Sequence, residues 1–367
     1  AEFAEYRIEQ LREFKLYEEY GCFLSPHEID VGGQTLSART FVIATGSVVS
    51  HVPIPGLDDV GYITSDEALE LRHAPASMLV LGAGAVACEL AQFYQRIGVD
   101  VTMIQRSHHI LSGVDEDLAR PVEARFREEG LKLFTGTHLH RFEQQNRLKV
   151  AHFTHEGEEK TAAAEVIFQA LGRRPNSTGL ALAKAQVNVD HHRVCVDTDM
   201  RTNQSHIFAV GDVNNVHEIV HIAVQQAEVA GYNATHPDAP QRHVDERLTM
   251  EVTFTDPQVS TVGLTENSCQ ANHVPYLVAS YRFDDHGKSI CLGETHGLVK
   301  LLCTPQTGEI LGAGVCGPEA AELIHELGAI MYFRGTVDDL AKIPHYHPTL
   351  SEILTYPAED LAERVSG

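Results

Sequence analysis

Two short stretches hold residues whose types and spacing could do chemistry. Near the C-terminus, PHYHPTLSE sets His345 and His347 on either side of Tyr346 and places Glu352 five residues after His347. An imidazole titrates near neutrality, and a carboxylate on its other nitrogen can fix its tautomer, so His347 and Glu352 could form an acid–base pair. Two other uses fit the same residues. Thr349 to Glu352 reads T-x-x-E, a capping box that would simply start a helix, and Pro348 favours such a start. His345 and His347 also make an H-x-H metal pair, although no further ligand cluster lies nearby.

The second stretch is GAGAVACELA. Gly82, Gly84 and Ala87 form a G-x-G-x-x-A turn, with Ala85, Val86 and Glu89 among them and just after. The first Gly permits a tight turn, the second lets a backbone approach a pyrophosphate, and Ala87 still allows close helix–strand packing. About 20 residues on, an acid would bind the ribose 2′-hydroxyl of NAD. Gln105 and Arg106 stand there instead. They remove a charge that would repel a 2′-phosphate and offer one that could pair with it, which makes NADP a candidate beside NAD. Arg106 is equally readable as a surface residue.

These residues need elements to position them. SMLVLGAGAVACELAQFYQRIGVDVTMIQRS reads as strand, Gly-rich turn, amphipathic helix and second strand, a βαβ unit. The expected organisation has four segments: 1–75, from a helical start through short strands to TFVIATGS; 76–194, the βαβ unit followed by polar alternation around GEEKTAAAEVIFQALGRRPN; 195–246, the strand HIFAVGDV and a helix; and 247–367, strands followed by helices from Glu319 on. The last segment is expected to be α+β, with the polar linker THPDAPQRHVDER ahead of it.

Bulk properties narrow the function classes. A formal charge of −23 disfavours nucleic acid and anionic membrane as partners. No apolar run approaches the ~18 residues of a membrane span, and Ala1–Tyr20 lacks the apolar stretch of a signal peptide. Seven scattered cysteines contain no CxxC or CxxxxC, so a disulfide framework is not expected and a reducing cytoplasm is. The 22 histidines show no zinc-motif spacing.

Two further glycine motifs end predicted strands: IATG, with Thr45, Gly46 and Ser47 at its end, and AVGD, with Asp212. Taken with GAGAVACELA, ALGRRPN, FTDPQVSTVGLTE and HPTLSE in this order, they resemble the pyridine nucleotide-disulfide oxidoreductases, nearest the dihydrolipoyl dehydrogenase type. The resemblance covers the whole chain. It implies an α/β fold: a partial FAD-binding domain, a Rossmann-like NAD(P)-binding domain and a C-terminal α+β dimerisation domain. It implies FAD beside Thr45, Gly46 and Ser47, with Asp212 on the ribityl chain and Ile219, Val220 and His221 near the isoalloxazine. NAD(P) would lie along Gly82 to Glu89, with Leu139 near the adenine and Gly172 and Arg173 closing the site. His347 and Glu352 would be the acid–base pair, supplied across a homodimer to a small-molecule or protein-bound disulfide or dithiol substrate.

The family pattern also implies an earlier G-x-G-x-x-G for FAD and a CxxxxC redox pair ahead of the matched part. This sequence contains no CxxxxC. An N-terminally shortened or partial form is therefore the expectation, one that holds FAD poorly and turns over no disulfide by itself. The rival expectations are a non-catalytic nucleotide-binding and dimerising fragment, or a diaphorase or transhydrogenase.

Overall fold

The computed structural model describes residues 14–366. The helical pattern read at the N-terminus falls largely on residues outside this range, and 14–20 is irregular. The chain forms two compact units, one from residues up to Val48 together with Arg173–Val244, the other from Val49–Gly172 together with Asp245 onward.

In the first unit, the strands Gly21–Ser25, Glu28–Val31 and Gln34–Ser37 make an antiparallel meander. Phe41–Ile43 pairs in parallel with Ile207–Ala209, bringing IATG and AVGD to the ends of adjacent strands. A core of Phe23, Ile43, Leu182, Val194, Ile207 and neighbours lies beneath them. The tight hairpin Val189–Asp190 and Arg193–Val194 turns through His191 and His192, both at positive φ (45° and 73°). Two such residues give the twist that matches paired strands. This adjacent histidine pair is thus a turn, and no group of three or more metal-ligating side chains exists among the described residues.

The second unit contains the predicted βαβ. Ser77–Leu81, Asp100–Ile104, Lys132–Phe134 and Val166–Gln169 form a parallel sheet in which Ser77–Leu81 is central. Met78 to Leu81 are all fully buried, as strands covered on both faces must be. The helix Ala85–Arg96 crosses between the first two strands, burying Ala87, Cys88, Ala91 and Tyr94. The polar alternation around GEEKTAAAEV is split between two sheets. Glu158–Ala164 pairs with Leu148–His155 in an antiparallel meander, whereas Val166–Gln169 joins the parallel sheet.

The C-terminal part of this unit is a five-stranded antiparallel sheet backed by helices Ala320–Tyr332 and Thr355–Ser366. Four of its strands fall on the stretches EVTFTD, VSTVGL, GLVKLLC and ILGAGV, which read as strands in the sequence. The fifth, Leu277–Arg282, is an edge strand that the sequence reading did not single out. Gly312, Gly314 and Gly317 repeat the G-x-G-x-x-G spacing inside the strand Ile310–Gly317. Here the spacing serves packing alone: a Cβ at Gly312 would fall 2.0 Å from the Leu264 carbonyl oxygen.

One charge ties the parallel-sheet part of this unit to its five-stranded sheet. Lys300 lies in the inner strand Leu298–Cys303 with its side chain 3% exposed, and its Nζ reaches Asp115 (3.0 Å), Asp117 (2.9 Å) and Glu266 (2.5 Å). Asp115 and Asp117 open the helix Glu116–Glu128 of the parallel-sheet half, and Asp115 also accepts from the backbone N–H of Glu266 and Asn267. Burial alone would push the ammonium toward losing its proton, but the three carboxylates hold its pKa above the ordinary value. Lys300→Met would strand Asp115 without a cation, so it should lower stability by about 3–5 kcal/mol. Urea unfolding measures this, and an unchanged midpoint would refute the tie.

Candidate functional site

His347 and Glu352 meet as the sequence permits. His347 Nδ1 and Glu352 Oε2 are 2.9 Å apart, with the imidazole 79% exposed and the carboxylate 11% exposed. The His347–Pro348 peptide is cis, and the turn that carries Glu352 begins at Ser351 with Leu350 as its N-cap. No capping box forms from Thr349. Its hydroxyl pairs with Ser351 Oγ at 3.3 Å, and the carboxylate of Glu352 is directed at histidine. A carboxylate only accepts, so a neutral His347 in this contact carries its proton on Nδ1 and presents Nε2 outward as a base. His345 has a carboxylate of its own, with Nε2 2.8 Å from Glu326 and Nδ1 2.9 Å from the Ile343 carbonyl. The two histidines therefore do not act as a metal pair.

Glu352 has a second neighbour that sequence reasoning missed. His286 Nε2 lies 3.3 Å from Glu352 Oε1, without hydrogen-bond alignment, and its ring is wholly buried. Burial of Glu352 favours the neutral acid, but the two imidazoles outweigh it and hold the carboxyl pKa below its usual range. For His286, burial dominates and lowers the pKa, against the pull of Glu352.

The nucleotide turn is shaped from both sides. Gly82 sits at φ 97°, and a Cβ there would lie 2.5 Å from the Ala170 carbonyl oxygen. At Gly84 nothing lies within 4 Å of the Cβ position, so backbone and open space meet at the start of helix Ala85–Arg96. That helix has no side-chain cap and no acid in its first turn. Its N–H groups and positive dipole end can therefore receive an anionic phosphate. Ala87 is buried against the sheet, Ala85 is half-buried and Val86 is exposed. Glu89 is half-buried, which raises its pKa, while its Oε1 accepts from the Phe254 N–H at 2.8 Å. Gln105 follows the second strand with its carbonyl taken by Thr137, and Arg106 beside it is exposed. Leu139 packs, half-buried, against the cluster around Phe142 and Phe153.

A second constellation lies in the first unit. Ser47 Oγ donates to Asp212 Oδ2 at 2.6 Å and accepts from Arg173 Nε at 2.7 Å, while Arg173 Nη2 donates to the Ser47 carbonyl at 2.9 Å. Arg173 is thereby grouped with Ser47 and Asp212, while the carbonyl of its neighbour Gly172 accepts from Ser50 N–H in the other unit. Thr45 and Gly46 are stitched to Asn176: Thr45 Oγ1 donates to its carbonyl at 2.7 Å, and its N–H donates to the Gly46 carbonyl at 2.9 Å. Glu218 nearby has its pKa raised by burial and by Asp212, against the relief given by Arg173. The helix Val220–Thr235 starts after Ile219 with no side-chain cap, and Val220 is 82% exposed, with His221 also at the surface. A strand-end carboxylate, an arginine and an uncapped helix start bearing exposed apolar residues suit a large ligand with both polar and aromatic parts. The constellation fits a flavin dinucleotide on those grounds, as Gly82–Glu89 fits a nicotinamide dinucleotide.

Gly82→Ala forces positive φ and a backbone clash on a side chain, and should cost about 1–3 kcal/mol. A lowered urea midpoint for the purified variant would verify this, and full stability would contradict the geometry.

Residues 4–227 match the family described as pyridine nucleotide-disulphide oxidoreductase, and residues 249–358 match its dimerisation domain, which marks that segment for homodimerisation. The chain is 35% identical to a dihydrolipoyl dehydrogenase from Thermus scotoductus over 95% of its own length and 75% of the relative's. It is 30% identical to a mercuric reductase from Staphylococcus aureus over 98% of its own length and 68% of the relative's. The crystal structure of LpdA from Mycobacterium tuberculosis superposes with a TM-score of 0.83 at 25% identity, covering 94% of this chain and 76% of that one. No helix among the described residues is long and apolar enough to cross a membrane. The chain belongs to the pyridine nucleotide-disulphide oxidoreductase family, the FAD- and NAD(P)-dependent flavoprotein disulfide oxidoreductases.

Proposed function

We propose that this chain serves disulfide–dithiol exchange of the dihydrolipoyl dehydrogenase type, with His347 as its acid–base group and Glu352 as the residue that orients it. The observation that carries this is the 2.9 Å contact from His347 Nδ1 to a carboxylate that is itself nearly buried, leaving Nε2 exposed. Bound FAD and NAD(P) supply the electron transfer between nicotinamide and disulfide in this family. Thr45, Gly46, Ser47, Asp212, Ile219, Val220 and His221 hold the flavin nucleotide. Gly82, Gly84, Ala85, Val86, Ala87 and Glu89 hold the pyridine nucleotide, with Gln105, Arg106, Leu139 and Gly172 around it, whereas Arg173, bonded to Ser47, belongs with the flavin group.

The exchange itself is proton chemistry. His347 Nε2 takes the proton of a substrate thiol, and the thiolate attacks a disulfide sulfur; the departing thiolate then takes a proton from the imidazolium. Glu352 stabilises the cation formed between these steps. In a homodimer the exposed Nε2 serves a redox disulfide that the seven cysteines of this sequence, which include no CxxxxC pair, do not themselves supply. The substrate is a small-molecule or protein-bound disulfide or dithiol. Unpaired cysteines throughout the described residues agree with a reducing cytoplasm.

The test uses protein purified from its native host with FAD bound. His347→Ala should lower NAD(P)H-dependent disulfide reduction about 10²–10⁴-fold and leave electron transfer from NAD(P)H to ferricyanide unchanged. Equal disulfide turnover in parent and variant would remove His347 from the chemistry. If no dithiol or disulfide turns over, the function itself is wrong, and dinucleotide binding without turnover would favour a non-catalytic binding module. Arg106→Ala should weaken NADPH binding about tenfold, the scale of one hydrogen bond to a charged group, and spare NADH. Calorimetric titration with both nucleotides reads the difference, and equal losses would show that Arg106 does not contact a 2′-phosphate.

A further inference from the structure

The acid–base reading uses one oxygen of Glu352, and the structure puts a second histidine on the other. His286 follows the turn Phe283–Asp285 and forms the N-cap of the helix Gly287–Leu292. Its Nδ1 is 2.8 Å from Ser289 Oγ, and Ser289 is completely buried. The edges or faces of Phe283 and Tyr356 close around the ring at 6.4 and 6.2 Å between centroids. Glu352, His347 and Tyr356 are the titratable groups that face it.

These contacts leave one arrangement of protons. Burial keeps the His286 ring neutral, so it has a single N–H. A carboxylate can only accept, whereas a hydroxyl can donate. Both contacts are satisfied when Ser289 donates to Nδ1 and Nε2–H faces Glu352 Oε1. As placed, Nε2 has no aligned acceptor, and a buried donor left that way costs about 1–3 kcal/mol. Oε1 of Glu352 at 3.3 Å is the oxygen positioned to relieve it.

We propose that His286 is a positioning residue, locked in one tautomer by Ser289, that anchors Oε1 of Glu352 so that Oε2 faces His347 Nδ1. The order is Ser289, His286, Glu352, His347: three buried groups set the direction of an exposed one. The inference rests on the acid–base reading of His347 and extends it by naming what holds the orienting carboxylate.

The experiment is nitrogen–proton correlation NMR of the ¹⁵N-labelled chain at a pH where the histidines are neutral. It compares the parent with Ser289→Ala, His286→Asn and His286→Phe. In the parent, His286 should carry its proton on Nε2 and His347 on Nδ1. His286→Phe should lose the single Nδ1–H form of His347 and give mixed tautomers, while His286→Asn, whose amide can donate to Oε1, should restore it. Ser289→Ala should release His286 into both tautomers. An Nδ1–H form of His286 in the parent overturns the proposal and requires no variant to fold. An unchanged His347 tautomer in a folded His286→Phe chain overturns it as well. These signals do not depend on turnover. Correct tautomers with an active His347→Ala enzyme would defeat the acid–base reading alone; wrong tautomers with an inactive one would defeat the positioning role alone.

Discussion

Lys300 brings a positive charge into the interior of the larger unit, where an unpaired ion would cost several kcal/mol. It is tolerated because three carboxylates arrive from two directions, Asp115 and Asp117 from the helix beside the parallel sheet and Glu266 from the antiparallel half. The requirement is mutual, since Asp115 is buried as well and has the same need. Two halves of the chain separated by a long stretch of sequence are thereby made into one body. Other polar contacts follow the same seam. Arg96 pairs with Glu129 at 2.6 Å and with Asp256 at 2.5 Å, and Gln92 donates to the Asp256 carbonyl at 2.7 Å. The contact from Glu89 to Phe254 belongs to the seam too, so the helix that opens the nucleotide turn is fixed at its far side by the dimerisation segment.

At the other end of that segment, the same physical rule operates with different partners. Glu352 is nearly buried and must be compensated, and imidazoles do this where Lys300 has carboxylates. The difference is that one of its partners remains in solvent. A buried anion with one buried and one exposed neighbour has a built-in direction, and that direction points outward along His347. The cysteines present the opposite case. Burial pushes Cys303 up to about 11 and raises the thiols of Cys88 and Cys316 as well, so they remain protonated at neutral pH and behave as small apolar side chains.

Local patterns in the sequence were legible wherever chemistry and neighbours were close along the chain. The turn at Gly82 and Gly84 was readable because its strand and helix flank it directly. The pairing of His347 with Glu352 was one of several readings, and only the backbone between them excluded the capping box. Ser47 and Asp212 were both named for the flavin, but Arg173 was named for the other nucleotide; their mutual contacts join residues 126 and 165 positions apart, which no local pattern encodes. His286 was missed for a related reason. A single histidine between two aspartates and a glycine carries no spacing signal, and its importance comes from a fold that brings it to Glu352. The strand Leu277–Arg282 was overlooked because LVASYR mixes apolar and polar residues at a sheet edge, where only one side is paired.

The two glycines of the nucleotide turn answer to different selection. Gly82 is constrained by the molecule itself, through positive φ and a carbonyl in the space a methyl group would need. Gly84 has an ordinary extended conformation and empty space around it. Nothing in folding demands a glycine there, only the room that a ligand would occupy. In a lineage that kept this fold and gave up the nucleotide, drift would erase Gly84 long before Gly82. The presence of both in one sequence is therefore a record of use as well as of architecture.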